Sequence, residues 1–390
     1  MSQGIYDLFQ PVDQPVFSNA EGTSRIADRI DIHRFDYQPE IEGCRIAIFG
    51  VNDGRKSGDN EGCSAAPDAI RSWLYRLTPP TRWAPVVDLG NIRAGFEDSD
   101  TENAVITVVS ELIQMGVIPI VLGGGHDLTF PLYAALESVG RPMNVVTVDS
   151  RLDFGGDPAV HTSRNFMNRL VLHEPNYLFD YTNVGHQGYL TDPDTLELLE
   201  RLEFEAIRLG TVHSNAKLLE PTFRNSDLIS IDLSSIRAAD HPASTHAGPN
   251  GLTASQICQL ARYAGLSDRM IALGVFDHNP DLDDRGRGAH LAAQVIWHML
   301  DGIFCQTGDY PKCSAEEYTR YVVDLPGNDH EVAFFKSARS DRWWMDVPIP
   351  TSKKNNKDHH HLVPCAYEDY QEAAEGQLPD RWWRTYQKLA

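Results

Sequence analysis

At 390 residues, 42% of them hydrophobic, the chain is long enough for one large domain or two ordinary ones with a full core. Its 34 basic against 55 acidic residues give a formal charge of −21, which argues against nucleic acid and against an anionic membrane as partners. Six cysteines without Cys-x-x-Cys spacing read as reduced thiols. The amino terminus has no basic, apolar leader, and no apolar run nears the ~18 residues of a membrane span, so the expected address is the cytoplasm.

From about residue 44 to 308, β-branched runs alternate with runs of helical period. Residues 45–49 (RIAIF) predict a strand that leads into a Gly/Asn/Asp-rich loop, 50–62. Pro67 then opens a helix over 68–77, where its missing donor is harmless. Residues 101–115 repeat apolar side chains at helical spacing and stop at Gly116. A strand over 119–122 (PIVL) runs into GGGHD (123–127) and a helix over 131–138. The next strand, 145–148 (VVTV), is followed by DSRLD (149–153). Helical spacing over 197–202 precedes strands over 206–209 and 228–231 (LISI), the second continuing into Asp232, Leu233 and Ser234. Thr253 is placed to cap a helix over 253–264. Residues 269–276 predict a further strand and 289–304 a long apolar helix. This alternation predicts an α/β fold, a three-layer α/β/α sandwich around a mainly parallel sheet.

Residues 1–43 read as an N-terminal segment and 309–390 as a Trp-rich extension with few periodic stretches. The extension carries an echo, Asp341-Arg342-Trp343-Trp344 and Asp380-Arg381-Trp382-Trp383. Tandem tryptophans normally bury, which predicts an appendage docked on the main domain. The run Asp358-His359-His360-His361, flanked by Lys353, Lys354 and Lys357, reads as a solvated loop rather than a metal site.

Open α/β sheets bind ligands beyond the carboxyl ends of their parallel strands. GGGHD, DSRLD and the run through Asp232 and Ser234 all stand there. The two-residue period of a strand puts Asp149, Arg151 and Asp153 on one face, and Asp232 with Ser234 on one face. Alone, His126 would read as a core histidine and Asp149 as a strand-end cap, while Asp127 and Thr129 would start the following helix. Together, His126, Asp149, Asp153 and Asp232 are four ligand-type residues that cannot all remain buried without compensation.

These runs resemble the ureohydrolase family of arginase, agmatinase and formimidoylglutamase. Its GGxH, Asp-x-His-x-Asp, Ser-x-Asp-x-Asp and Glu-x-x-Pro-like runs are matched by 123–126, Asp149-Ser-Arg-Leu-Asp153, Ser230-Ile-Asp232-Leu-Ser234 and 276–280. The loop and helix at 52–77, GPNGLT at 248–253 and GAHLAAQVIWHML at 288–300 resemble the family outside its site. The resemblance spans about 44–308 and looks closest to a formimidoylglutamase-like branch. It implies a metal-dependent hydrolase of linear C–N bonds in amidines, in which two manganese ions activate water for attack on an amidine carbon. Carried over by residue, His126, Asp149, Asp153 and Asp232 would hold metal A. Asp149 and Asp232 would act catalytically as bridging groups. Asp277 matches the acid that binds the guanidinium, one methylene shorter, and His161 and Arg164 lie where the family places a substrate-contacting loop.

Metal site B departs from the pattern, because Arg151 stands for its histidine and Ser234 for its aspartate. Arginine stays protonated and cannot ligate. The resemblance therefore implies at most one Mn2+ per chain, and leaves open none. Arg151 is expected to turn inward as a structural cation, its fork on Asp149 and Asp232. Two functions compete: a hydrolase of a small amidine or guanidino substrate, such as formimidoylglutamate, and an inactive arginase-fold pseudoenzyme with a binding or regulatory role. A homo-oligomer stays admissible.

Overall fold

The computed structural model describes residues 4–13, 24–157, 159–310, 317–325, 331–349 and 360–390. Its main sheet has ten strands: β1 (Phe9–Gln10), β2 (Asp31–Ile32), β3 (Ile46–Asn52), β4 (Val86–Arg93), β5 (Ile118–Leu122), β6 (Met143–Val148), β7 (Leu178–His186), β8 (Glu205–Arg208), β9 (Leu228–Asp232) and β10 (Ala272–Phe276). Their order is β1-β4-β3-β5-β10-β9-β6-β7-β8, with β2 also paired to β4. Only β1 runs antiparallel.

Parallel neighbours need crossover connections, which cover both faces of a sheet with helices. Along β3, Ile46 and Ile48 join one core with Ile70, Leu74, Leu260 and Leu291. Ala47 and Phe49 point to the other, with Val105, Val109, Leu132 and Leu170. The fold is a three-layer α/β/α sandwich. Its helices include Ala66–Leu74, Asp98–Gln114, Ala254–Gly265 and Arg287–Phe304, each within three residues of the expected bounds at either end. Thr253 caps its helix, its hydroxyl accepting the Gln256 N–H at 3.3 Å.

Two strands escape the apolar-run criterion because they carry buried polar residues. In β4, Asp88 is fully buried and is matched by Arg71 from helix Ala66–Leu74, with Nε–Oδ2 at 2.8 Å and Nη2–Oδ1 at 2.9 Å. In β7, Asn183 donates to Thr147 Oγ1 at 3.3 Å and to the Arg151 carbonyl at 2.7 Å. Residues before 44, expected as a separate segment, add β1 and β2 to the edge of the main sheet.

The extension is more regular than its composition suggests. It forms an antiparallel sheet, β11 (Tyr318–Asp324), β12 (Glu331–Ser337), β13 (Trp343–Pro348) and β14 (His360–Cys365), with helices Tyr367–Ala374 and Asp380–Leu389 and its own core. Trp343, Trp344 and Trp382 are buried, whereas Trp383 is 49% exposed. Contact with the main domain runs through Arg224, whose Nη2 reaches the Trp343 and Cys365 carbonyls at 3.2 Å and whose guanidinium lies over the Trp344 ring. Arg384 pairs with Glu205 at 2.7 Å, and Lys388 with Asp180. Of the histidine-rich run, expected as a solvated loop, Asp358 and His359 lie outside the described residues, whereas His360 and His361 begin β14 and pair with β13.

Candidate metal centre and active site

The strand order sets β5, β10, β9 and β6 side by side, so four motif-bearing strand ends meet at one edge. After β5 the chain turns through Gly123 and Gly124, at φ +73° and +72°; a Cβ on Gly124 would stand 2.5 Å from the Asp53 carbonyl oxygen. Only glycine fits so close an approach in that conformation. The turn delivers His126, buried, on the short helical turn His126–Leu128.

His126 Nδ1 lies 3.3 Å from Asp149 Oδ2 and 3.2 Å from Asp153 Oδ2. One donor atom from each of the three falls within 4.8 Å of the others, a grouping able to hold a metal ion. The opposite ring nitrogen, Nε2, is 2.9 Å from Ser230 Oγ, which is 2.6 Å from Thr129 Oγ1. When Nε2–H donates to Ser230 and Ser230 donates to Thr129, the Nδ1 lone pair faces the carboxylates. That is the tautomer a ligating imidazole needs.

Electrostatics show a pocket that calls for positive charge. Burial and the neighbouring Asp153 push Asp149 up to about 7. Burial works against a charged His126, yet its hydrogen bonds to Asp149 and Asp153 hold its pKa well above the ordinary value, so that without an ion Nδ1 keeps a proton, which a bound divalent ion would displace. One imidazole with two carboxylates is a nitrogen and hard-oxygen donor set that suits Mn2+ or Mg2+. The residues fit one divalent ion.

Asp232, expected as a fourth ligand, is buried at the end of β9 but stands outside that 4.8 Å group. Its carboxylate is engaged by Ser234, accepting the backbone N–H at 2.6 Å and the hydroxyl at 2.7 Å. Burial and Asp149 raise its pKa. Asp277 follows β10 in the left-handed region, φ +64°, a conformation that Asp153 shares at +49°. Its Oδ1 accepts from Ser57 Oγ at 3.3 Å, and its carbonyl from Asn60 Nδ2 at 3.4 Å. Burial, then the charge of Asp232, keeps the Asp277 carboxyl well above the usual range.

One expectation needs correction. Arg151 does not fork onto Asp149 and Asp232: among the described residues its guanidinium makes no ion pair, and it meets Asp149 Oδ1 only through its backbone N–H, at 2.9 Å. Asp149, Asp153 and Asp232 act on the guanidinium from a distance, without an ion pair to any of them. Burial and the neighbouring Arg164 lower the Arg151 pKa. Arg164 likewise has no ion pair among the described residues. His161, expected on a substrate-contacting loop, lies outside the triad. It is exposed, on a loop held by Asn165 (Nδ2 to the Val160 carbonyl, 2.7 Å), and its charged neighbours are Arg169, Lys56 and Glu102.

Sequence reasoning overlooked the work of Ser230 and Thr129. Ser230 shares the two-residue period of Asp232, so it points to the same face. Thr129 does start helix Thr129–Ala135, and its hydroxyl also completes the relay behind His126. Ser57 and Asn60 carried no signal beyond lying in a polar loop.

A model of the arginase family matches residues 44–301. A formimidoylglutamase from Photorhabdus laumondii is 24% identical over 298 residues, covering 72% of this chain and 93% of its own. One from Rhodococcus opacus is 25% identical over 282 residues, covering 67% and 86%. The structure of Trypanosoma cruzi formiminoglutamase with Mn2+ superposes with a TM-score of 0.64 at 20% identity, over 70% of this chain and 97% of that one. Bacillus subtilis formimidoylglutamase gives the same TM-score at 17% identity, over 73% and 93%. At such identities the structures share the fold.

Proposed function

The chain belongs to the arginase family, and on that footing we propose that it hydrolyses a linear C–N bond of an amidine, with a formimidoylglutamate-type compound as substrate and one metal ion per chain. The observation that carries this reading is the His126, Asp149 and Asp153 group with its hydroxyl relay. A divalent ion such as Mn2+ would supply Lewis acidity there and make water a nucleophile near neutral pH.

The protein's own residues have separable tasks. His126, Asp149 and Asp153 hold the ion, and Ser230 with Thr129 keeps the imidazole in its ligating tautomer. Asp277, presented from a left-handed backbone at the end of β10, is the acid for the planar cationic end of the substrate. Arg151 and Arg164, unpaired among the described residues, suit the carboxylates of a glutamate-like tail. A second ion would lack two ligands, since Arg151 offers no lone pair and Ser234 stands where the family has an aspartate.

One observation favours a second reading, an arginase-fold binding protein without turnover. Asp232, one of the family's bridging acids, is turned to Ser234 instead of the triad. Product assays on Mn2+-loaded protein separate the two. Formamide released from formimidoylglutamate, lost in Asp153→Asn and with a raised KM in Arg164→Ala, is the expected result. A metal-loaded protein inert on formimidoylglutamate, agmatine and arginine would leave the binding protein.

A further inference from the structure

At the other end of the main sheet, the amino ends of β3, β6, β7 and β10 border a cavity of about 900 Å3. Its walls include Arg45 before β3, Arg141 before β6, Phe179 in β7 and Arg269 before β10, with Tyr310 and His361 from the extension. The volume lies in the range of small-molecule pockets, roughly 300–1,000 Å3.

Charge in this cavity is unbalanced. Arg141 and Arg269 share one acid, their Nη2 atoms lying 2.6 and 3.1 Å from the two oxygens of Asp227. Asp227 also accepts the Asn144 N–H at 2.8 Å. Arg45 donates to a neutral amide, Gln306 Oε1, at 2.6 Å. Asp227 lies behind the wall, and the acid that lines it, Asp268, accepts the N–H groups of Gly308 and Asp309 at 3.0 and 3.3 Å. Three guanidinium groups thus face two carboxylates that are already engaged, on a chain whose overall charge is −21.

Beside the charge is an aromatic wall. The Phe179 and His361 rings lie 5.8 Å apart, and Tyr310 is fixed by donating its hydroxyl to the Leu362 carbonyl at 3.0 Å. Burial, then Arg269, pulls His361 down to about 4, so its imidazole is neutral at pH 7 and adds no charge.

We propose that this cavity is a second binding site, for a small organic anion with a carboxylate or phosphate on a flat apolar body. The arginines take the anionic group, and Phe179, Tyr310 and His361 take the body. The site is distinct from the metal centre, because β6 and β10 run between the two ends of the sheet, a strand of five or six residues spanning about 17–20 Å. The arginase-family match ends at residue 301, so Tyr310 and His361 come from chain beyond it. The inference is independent of the hydrolytic reading.

Calorimetric titration of the full chain with phenyl phosphate, benzoate, inorganic phosphate and benzyl alcohol tests it. Saturable binding of phenyl phosphate or benzoate is expected, with inorganic phosphate weaker and benzyl alcohol silent; whichever aromatic anion binds tighter fixes the anionic group. Arg45→Gln and Arg269→Gln should each weaken binding about tenfold, as losing a charge-assisted hydrogen bond does, and Arg164→Ala should not. If Arg269→Gln fails to fold, Arg45→Gln decides, since its partner is a neutral amide. Absence of saturable binding at millimolar probe overturns the proposal. So does an affinity that falls with Arg164→Ala and ignores Arg45→Gln, which would put the probe in the metal-centre pocket.

Discussion

His126 and Ser230 lie 2.9 Å apart, Nε2 to Oγ, one on the turn after β5 and the other in β9, across the intervening β10. The contact makes three strands answer for the orientation of one imidazole. A ring free to rotate would present either nitrogen to the carboxylates. Ser230, itself 2.6 Å from Thr129 Oγ1, removes that choice. Partners of this kind behind a ligating histidine govern affinity nearly as much as the ligands do.

Ser230→Ala should therefore weaken Mn2+ binding by about 10–100-fold while the protein stays folded. Titration with a competing chelator and a circular dichroism spectrum give both quantities. Thr129→Val, which keeps Ser230 in place, should weaken binding less. Equal affinity in wild type and Ser230→Ala would mean that the ring is held by packing against Phe166 and Phe276 alone.

Arg71 and Asp88 join helix Ala66–Leu74 to β4 with no exposure of either side chain. Tyr75 also donates to Asp88 Oδ2 at 2.9 Å. Removing one member strands a buried charge, so Arg71→Ala should cost about 3–5 kcal/mol in urea unfolding. A loss below 1 kcal/mol would show that water reaches Asp88.

Arg151→Ala should behave quite differently, because the guanidinium it removes has no carboxylate partner among the described residues. Its effect on the unfolding midpoint should stay within about 0.5 kcal/mol. The double substitution Arg151→His with Ser234→Asp supplies two new ligand side chains and frees Asp232 from the Ser234 hydroxyl. It should raise the bound Mn2+ from one to two per chain, and either change alone should not. Loss of several kcal/mol in Arg151→Ala would restore the inward-facing cation that sequence patterning suggested.

Much of this was legible in the sequence. β5, β6, β9 and β10 are continuous apolar runs because both their faces are covered, and each announces its motif at its carboxyl end. His126, Asp149 and Asp153 were placed together by their positions after strand ends and by the family resemblance, whereas strand period did not apply to 149–153, which lie beyond β6 with Asp153 in the left-handed region. β4 and β7 were not legible, since Asp88 and Asn183 look like breaks until Arg71 and Thr147 arrive from elsewhere. The direction of the Arg151 side chain was also hidden. It depends on where a long side chain comes to rest among Arg164 and three acids, which spacing does not rank. Antiparallel β11, half exposed along its length, gives no apolar run at all.

Glu102 gives a pH-dependent test of the loops around the site. It accepts Lys56 Nζ at 2.5 Å and a two-pronged Arg169 guanidinium at 2.6 and 2.8 Å. Burial alone would raise its carboxyl, but Arg169 and Lys56 bring it below the ordinary value. A depressed folded pKa contributes stability above the unfolded value, about 4.3, and loses it as pH falls through the folded one. Glu102→Gln should be about 1–3 kcal/mol less stable than wild type at pH 7. That gap should narrow progressively below about pH 4. A gap that holds constant would assign the loss to packing instead of charge.

The number of metal ions bound per chain tests the central reading most directly. Mass spectrometry of metal content after Mn2+ loading and desalting should find one ion in wild type. His126→Ala and Asp153→Asn should each bring it close to zero with the fold intact. Two ions in the wild-type chain would contradict the reading of Arg151 and Ser234, and none would contradict the His126, Asp149 and Asp153 centre itself.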